Sequence, residues 1–248
     1  MSEHGLLSTR GLSLSFGGVV AADAIDFDLR PGERLAVVGQ NGAGKTTFIN
    51  ICTGYLSPSS GRVYFDGADV TGQSPRAITR RGVGRSFQLP QVFTEHTVRE
   101  CLMLAASAVK QRRGFLLPLS EAVDASEVDE TLELLQLAAR AHDLAGSLPE
   151  GQRKLLDVAM ALVLRPKLLI MDEPTSGVST DEKHGLMAVL MRALDERQVT
   201  SIFVEHDIDI VRRYATRLAA WIAGKIAADG APEEVLRDRI VIKNVIGE

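Results

Sequence analysis

Cysteine is nearly absent from this sequence: there are two, Cys52 and Cys101, in 248 residues. Both fall on apolar faces of predicted helices, which reads as buried free thiols of a protein kept in a reducing cytosol. Excess positive charge is also missing. The net charge is −4, so the chain carries no electrostatic footprint for nucleic acid. No apolar run approaches the roughly 18 residues of a membrane-spanning helix. The most apolar stretches are cut by Asp157, Arg165, Lys167 and Lys225. The beginning of the sequence lacks a basic stretch followed by an apolar core, so no secretory signal is expected. A membrane role would therefore require docking onto another chain. No internal repeat or low-complexity tract stands out. What is present is ordinary globular composition, 45% hydrophobic and 24% charged. The length suits one domain, or a core with an inserted subdomain.

The chain is organised around Gly39-Gln40-Asn41-Gly42-Ala43-Gly44-Lys45-Thr46-Thr47. This is G-x-x-x-x-G-K-(S/T), the phosphate-binding P-loop. Its setting fits. Arg34 to Val38 is a short apolar run suited to a buried parallel strand, and Lys45 to Cys52 continues at helical spacing. The glycines let backbone N–H groups turn inward on an anion, and a helix N-terminus adds positive potential. Lys45 is expected on the β- and γ-phosphates of a nucleoside triphosphate, and the Thr46 hydroxyl on Mg²⁺.

Around the loop, Leu6–Phe16 and Ala24–Leu29 read as strands joined through Gly17-Gly18, and Pro31-Gly32 as a turn. Gly61–Gly67 reads as a further strand, which with the first two suggests an antiparallel sheet beside the nucleotide core. A short helix is expected over Pro75–Arg80 and a buried strand over Val83–Phe87. From Leu89 to about Arg165 the pattern turns helical. Val98, Leu102 and Ala105 share one face, Val128, Leu132 and Leu135 another, and Leu155, Val158 and Leu162 a third, ended by Pro166. Lys110–Ser120, with basic residues, Gly114 and Pro118, reads as a surface loop. Strand–helix alternation then resumes. Leu168–Met171 and Ser201–Val204 are strands, and Leu186, Val189, Leu190, Ala193 and Leu194 mark a helix. A short helix follows from Asp207, a hairpin turns through Gly224, and a helix covers Pro232–Arg237. The fold class expected is α/β: a P-loop NTPase (RecA-like) parallel sheet core with an antiparallel β subdomain and an inserted helical subdomain. The chain reads as one ATPase domain, with residues 1–88 and 162–248 as core and 89–161 as helical subdomain.

A second motif narrows the chemistry. Leu168-Leu169-Ile170-Met171-Asp172-Glu173 is an apolar strand ending in two carboxylates, where an α/β sheet presents ligands. Asp172 is suited to the Mg²⁺ shell, and Glu173 to align or deprotonate an attacking water.

With these motifs the sequence resembles the ATPase subunits of ABC transporters over essentially its whole length. The resemblance implies further roles. Phe16 sits where the family has an aromatic that stacks on adenine; the alternative is a core Phe on a strand. Gln88, in Ser86-Phe87-Gln88, is similar to the Q-loop glutamine that senses Mg²⁺ and attacking water and links to the membrane subunit. His206, in Val204-Glu205-His206-Asp207, resembles the switch histidine on the γ-phosphate. The family signature L-S-G-G-Q reads here Leu148-Pro149-Glu150-Gly151-Gln152. In the family this segment closes on ATP held by the other subunit. Leu148, Gly151 and Gln152 match it, but Pro149 removes a hydroxyl and a backbone donor, and Glu150 brings charge of the wrong sign. Ser176-Gly177-Val178-Ser179 occupies the D-loop position, with Ser179 where aspartate is common. Leu89–Thr94 is where a permease helix would dock, or an internal linker.

The likeness is greatest to the hydrophobic and branched-chain amino-acid uptake group. Arg85-Ser86-Phe87-Gln88-Leu89-Pro90-Gln91-Val92-Phe93, the long loop after Ala108 and the tail Val245-Ile246-Gly247-Glu248 carry it. It implies ATP and Mg²⁺ as cofactors and peripheral residence on the cytoplasmic face of the inner (plasma) membrane. The implied partners are integral membrane permease subunits, a second ATPase subunit as homo- or heterodimer, and indirectly a solute-binding receptor; no nucleic acid is expected. Two alternatives stand beside it: a soluble ABC-type ATPase of cofactor assembly, and a nucleotide-binding regulatory module with little hydrolysis. Repair and translation ABC proteins fit less well, since there is no long coiled-coil insertion and no second P-loop.

Overall fold

The structure, a computed structural model, describes residues 5–108 and 123–246. The expected loop at 110–120 and the end of the tail at 247–248 lie outside them. In chain order, β1 (Leu7–Phe16), β2 (Val19–Leu29) and β3 (Arg34–Gly39) lead into helix α1 (Lys45–Cys52). Then follow β4 (Ser60–Phe65), β5 (Ala68–Asp69), α2 (Pro75–Arg80) and β6 (Val83–Ser86). Helices α3 (Val98–Ser107), α4 (Ala125–Leu134) and α5 (Glu150–Leu162) precede β7 (Leu168–Asp172) and α6 (Thr180–Glu196). The last part holds β8 (Thr200–Val204), α7 (Ile208–Tyr214), β9 (Arg217–Ile222), β10 (Lys225–Gly230) and short helical turns.

The chain groups into two units, Met1–Val83 with Thr200–Glu248, and Gly84–Val199. The first contains two sheets. One is the antiparallel array β2-β1-β4-β5. In the other, β3 lies parallel between β8 and β9, and β10 turns back antiparallel on β9. Leu35, Ala36, Val37 and Val38 are all buried, because a central parallel strand is covered on both faces and needs apolar residues throughout. Phe48 of α1 joins the sheets. Its ring meets Phe27 of β2 edge-on at 5.5 Å and Trp221 of β9 at 5.1 Å. Cys52, on the same helix, is buried, which pushes its thiol well up from its ordinary value and leaves it protonated and inert.

Strand β2 begins five residues earlier than its apolar pattern suggests. Phe16 pairs with Val19 across the Gly17-Gly18 turn, but Ala24 has φ 48° and the register shifts there. This bulge breaks the alternation that marks a strand, while the Ser13 hydroxyl takes up the Ala24 N–H at 2.9 Å.

In the second unit, β7 lies beside β6. Helix α3 starts at a capping box: Thr97 accepts the Glu100 N–H, and the Glu100 carboxylate accepts the Thr97 N–H. Val98, Cys101 and Leu102 form its buried face, Val128, Leu132 and Leu135 that of α4 and its cap, and Leu155, Leu156, Val158 and Leu162 that of α5. Glu127 of α4 is engaged by Arg165 and by Arg197, the latter at 2.6 Å.

Candidate nucleotide and hydrolysis site

In the loop 39–44, Gly39 and Gly44 sit where side chains have no room. Gly44 has φ 103°, and a Cβ there would lie 2.2 Å from the Ala21 carbonyl oxygen; one on Gly39 would lie 2.5 Å from that of Trp221. The loop is braced from outside as well. The Gly224 N–H donates to the Ala43 carbonyl at 2.9 Å, and the Asp23 N–H to that of Gly224 at 3.0 Å. Helix α1 opens without a side-chain cap or an acidic residue in its first turn. Its first N–H groups and dipole therefore suit an anion. The Lys45 ammonium is buried and donates to the Gly39 and Gln40 carbonyls at 2.6 and 3.0 Å. Gln40, Asn41, Gly42 and Thr46 are exposed and Thr47 half-buried.

Phe16 is 49% exposed, with Val19 and Val20 beside it on the β1–β2 hairpin. It is therefore not a core residue. The same unit holds His206, exposed just beyond β8. Parallel pairing of β8 with β3 places it there: the Glu205 N–H donates to the Val37 carbonyl at 3.2 Å. The Glu205 side chain, itself buried, accepts the His206 N–H at 3.3 Å.

The second unit gathers the other expected residues. Asp172 is buried at the end of β7, with the Arg85 guanidinium 3.8 Å away and that group stacked 4.8 Å over the Phe87 ring. Glu173 follows at φ 50°, a left-handed conformation uncommon for a residue with a side chain. The Gln88 amide donates to its carboxylate at 2.6 Å. Within this unit Gln88 and Asp172 offer amide and carboxylate oxygens, hard donors of the kind Mg²⁺ takes. Among the described residues, no group of three or more His, Cys, Asp or Glu forms an all-protein metal cage.

In the signature segment Leu148 is buried, Pro149 occupies the N-cap of α5 without a side-chain cap, and Glu150 pairs with Arg153 at 2.5 Å. The arginine thus draws off part of the unwelcome charge. Gln152 Oε1 is buried with no hydrogen-bond partner among the described residues. Ser179 caps α6 in position and donates to Glu182 at 2.7 Å.

Residues the sequence pattern did not single out as functional also converge here. Lys154 sends its ammonium to the Gln88 carbonyl at 3.0 Å and to the Glu173 carbonyl and Ser176 hydroxyl, each at 3.1 Å. Asp157 accepts the Phe87 and Gln91 N–H groups, each at 2.9 Å. Burial pushes its carboxyl above the usual range, opposed by those two N–H groups and by Lys154. The available signal was a lysine and an aspartate at helical spacing beside the apolar stripe of α5.

A glycine-rich G-x-x-x-x-G-K-T loop between a parallel strand and a helix, and a strand ending in adjacent carboxylates, together define a P-loop NTPase. A family model described as ABC transporter matches residues 22–176, and the chain belongs to that family. It is an α/β ATPase that binds ATP. The chain is 34% identical to the probable branched-chain amino acid transport ATP-binding protein LivG of Archaeoglobus fulgidus, over 98% of this chain and 95% of the relative. It is 32% identical to the high-affinity branched-chain amino acid transport ATP-binding protein BraF of Pseudomonas aeruginosa, over 98% of each. Among solved structures, it is similar to a nucleotide-free ATP-binding cassette from an ABC transporter. The TM-score is 0.83 at 30% identity, covering 96% of this chain and 97% of that one.

Proposed function

We propose that this chain is the ATP-hydrolysing subunit that energises uptake of branched-chain or other hydrophobic amino acids through a separate permease at the cytoplasmic face of the inner membrane. The near full-length likeness to branched-chain transport ATP-binding proteins supports the solute class. The observation that carries the hydrolytic reading is the Glu173 carboxylate, held beside Gln88 at the end of an apolar strand. No helix among the described residues is long and apolar enough to cross a membrane, so the permease would be another chain. Neither the cofactor-assembly nor the regulatory alternative is favoured by these likenesses.

In the proposed reaction, Lys45 and the N–H groups of 39–47 hold the β- and γ-phosphates. Phe16 stacks on adenine, His206 contacts the γ-phosphate, and Glu173 acts on the attacking water. Thr46, Asp172 and Gln88 would hold Mg²⁺, which supplies neutralisation of the phosphate charge. The domain division of core 1–88 and 162–248 with helical subdomain 89–161 is part of the same reading, and Leu89–Thr94 is the permease-facing segment. Within it Leu89 is 74% and Phe93 46% exposed, in keeping with a docking surface.

Phe16→Ala is expected to weaken ATP binding by about 1–2 kcal/mol, the scale of an aromatic packing contact. Identical affinities in a fluorescence titration would show that another residue faces the base.

The signature bears on the partner. Two chains each supply a P-loop and a signature, and a homodimer would place Pro149 and Glu150 in both composite sites. Glu150 near a triphosphate costs binding energy by like-charge repulsion unless its pairing with Arg153 holds it aside. The working complex is therefore proposed to be a heterodimer with a second ATPase chain. The test measures mass and phosphate release with Mg-ATP for the chain alone, then with the candidate partner and permease. Low turnover alone and stimulation in the complex are expected. Full turnover as a homodimer, unchanged by Pro149→Ser with Glu150→Gly, overturns the heterodimer.

A further inference from the structure

We propose that Lys154 and Asp157, two buried charges one turn apart on α5, are positioning residues that set Gln88 and Glu173 for hydrolysis, so that the helix opening in the signature also holds the water-activating pair. This rests on the reading of Glu173 as the group that acts on water.

The geometry is specific. A lysine ammonium has three protons, and the Lys154 ammonium donates to oxygens of Gln88, Glu173 and Ser176, which lie on two separate stretches of chain. Two of these are the main-chain carbonyls of the very residues whose side chains meet at 2.6 Å. Lys154 thus fixes the backbones from which that contact is made. Asp157 completes the arrangement. Its two oxygens take the N–H groups of Phe87 and Gln91, which flank Gln88. Segment 87–91 is therefore held at both ends by Asp157 and, one residue in from its start, by Lys154.

Two further observations favour a positioning role over simple packing. Lys154 is 4% and Asp157 7% exposed, although an apolar side chain would fill a helix stripe at lower desolvation cost. Glu173 keeps a left-handed backbone, a conformation that persists only where the surroundings over-determine it. The bond from Lys154 to its carbonyl is one such constraint. Ser176 carries the same tie into the D-loop, whose Ser176 N–H also donates to the Glu173 carbonyl at 3.1 Å.

The test compares Lys154→Met, Lys154→Arg and Asp157→Asn in the full chain, with whatever partner chain turnover requires. Lys154→Met is expected to lower kcat about 10- to 100-fold, as misplacement of reacting groups does, with ATP affinity by fluorescence titration within about 2-fold. Amide hydrogen exchange should rise over 86–91 and 173–178. Lys154→Arg should recover part of kcat, since its guanidinium still donates to carbonyls. Asp157→Asn keeps the size but presents an N–H₂ to one of two N–H donors. It should speed exchange at Phe87 or Gln91 and lower kcat about 10-fold. Where Lys154→Met does not fold, Asp157→Asn decides on the same readouts. Unchanged kcat and exchange overturn the proposal. So does equal loss of kcat and ATP affinity with a lowered Tm in all three variants, which marks a folding role only. If the unsubstituted chain releases no phosphate in any complex, the hydrolytic reading falls, and the exchange measurements still decide whether the two charges hold segments 86–91 and 173–178.

Discussion

Glu173→Gln is expected to abolish steady-state phosphate release while ATP still binds. The substitution keeps shape and hydrogen-bonding capacity but removes the carboxylate that would align or deprotonate water. General-base catalysis is worth about 10²–10⁴-fold, so turnover should fall by that factor. The carboxylate is held in place by the Gln88 amide at 2.6 Å and by the tie from Lys154 to its own carbonyl. Binding should survive because the loop proposed to hold the phosphates is another part of the chain, where the Lys45 ammonium is held by Gly39 and Gln40. Phosphate release with excess Mg-ATP, set beside a nucleotide titration, separates the two effects. Turnover near that of the unsubstituted chain, in a preparation free of other ATPases, would remove Glu173 from the mechanism.

Lys45→Ala is expected to fail at the earlier step and lose nucleotide binding itself. A buried ammonium that donates to two carbonyls can exchange them for phosphate oxygens carrying formal charge, which are stronger acceptors. Removing one partner of such a buried, hydrogen-bonded charge pair costs about 2–5 kcal/mol, roughly 30- to several-thousand-fold in Kd. The substitution also frees the Gly39 and Gln40 carbonyls, so the loop loses part of its own bracing. Equilibrium titration with a fluorescent ATP analogue reads the loss directly. Unchanged affinity would mean that the loop 39–47 does not grip the phosphates.

The two variants fail differently, and that contrast follows from where each residue lies. Lys45 belongs to a loop whose shape is written locally. Its glycines, the preceding apolar strand and the following helix are contiguous in sequence, so spacing alone reveals them. The same holds for β7, whose unbroken apolar run ends in Asp172 and Glu173, and for the Gly224 hairpin. The stripe of Leu155, Val158 and Leu162 likewise shows α5, because helical periodicity puts all three on one face.

Other features were hidden for physical reasons. The start of β2 escaped because the bulge at Ala24 shifts the register and interrupts the alternation of apolar and polar residues. Phe16 was ambiguous because strand pattern cannot distinguish a core ring from an exposed one at a hairpin tip; the fold leaves it half exposed. Asp157 looked like an interruption of an apolar stretch and Lys154 drew no notice, since a charge beside such a stripe has no local explanation.

Short-range physics therefore placed the phosphate loop, the strand carrying Asp172 and Glu173, and the helices between them. Backbone conformation and side-chain periodicity act over a few residues and are readable wherever those residues are adjacent. The pairing of Gln88 with Glu173 spans 85 positions, and the clasp of Asp157 on Phe87 spans 70. No local preference encodes such a contact. It exists only once β6 and β7 lie side by side and α5 is docked, bringing a buried ammonium and a buried carboxylate within reach of the backbone they hold.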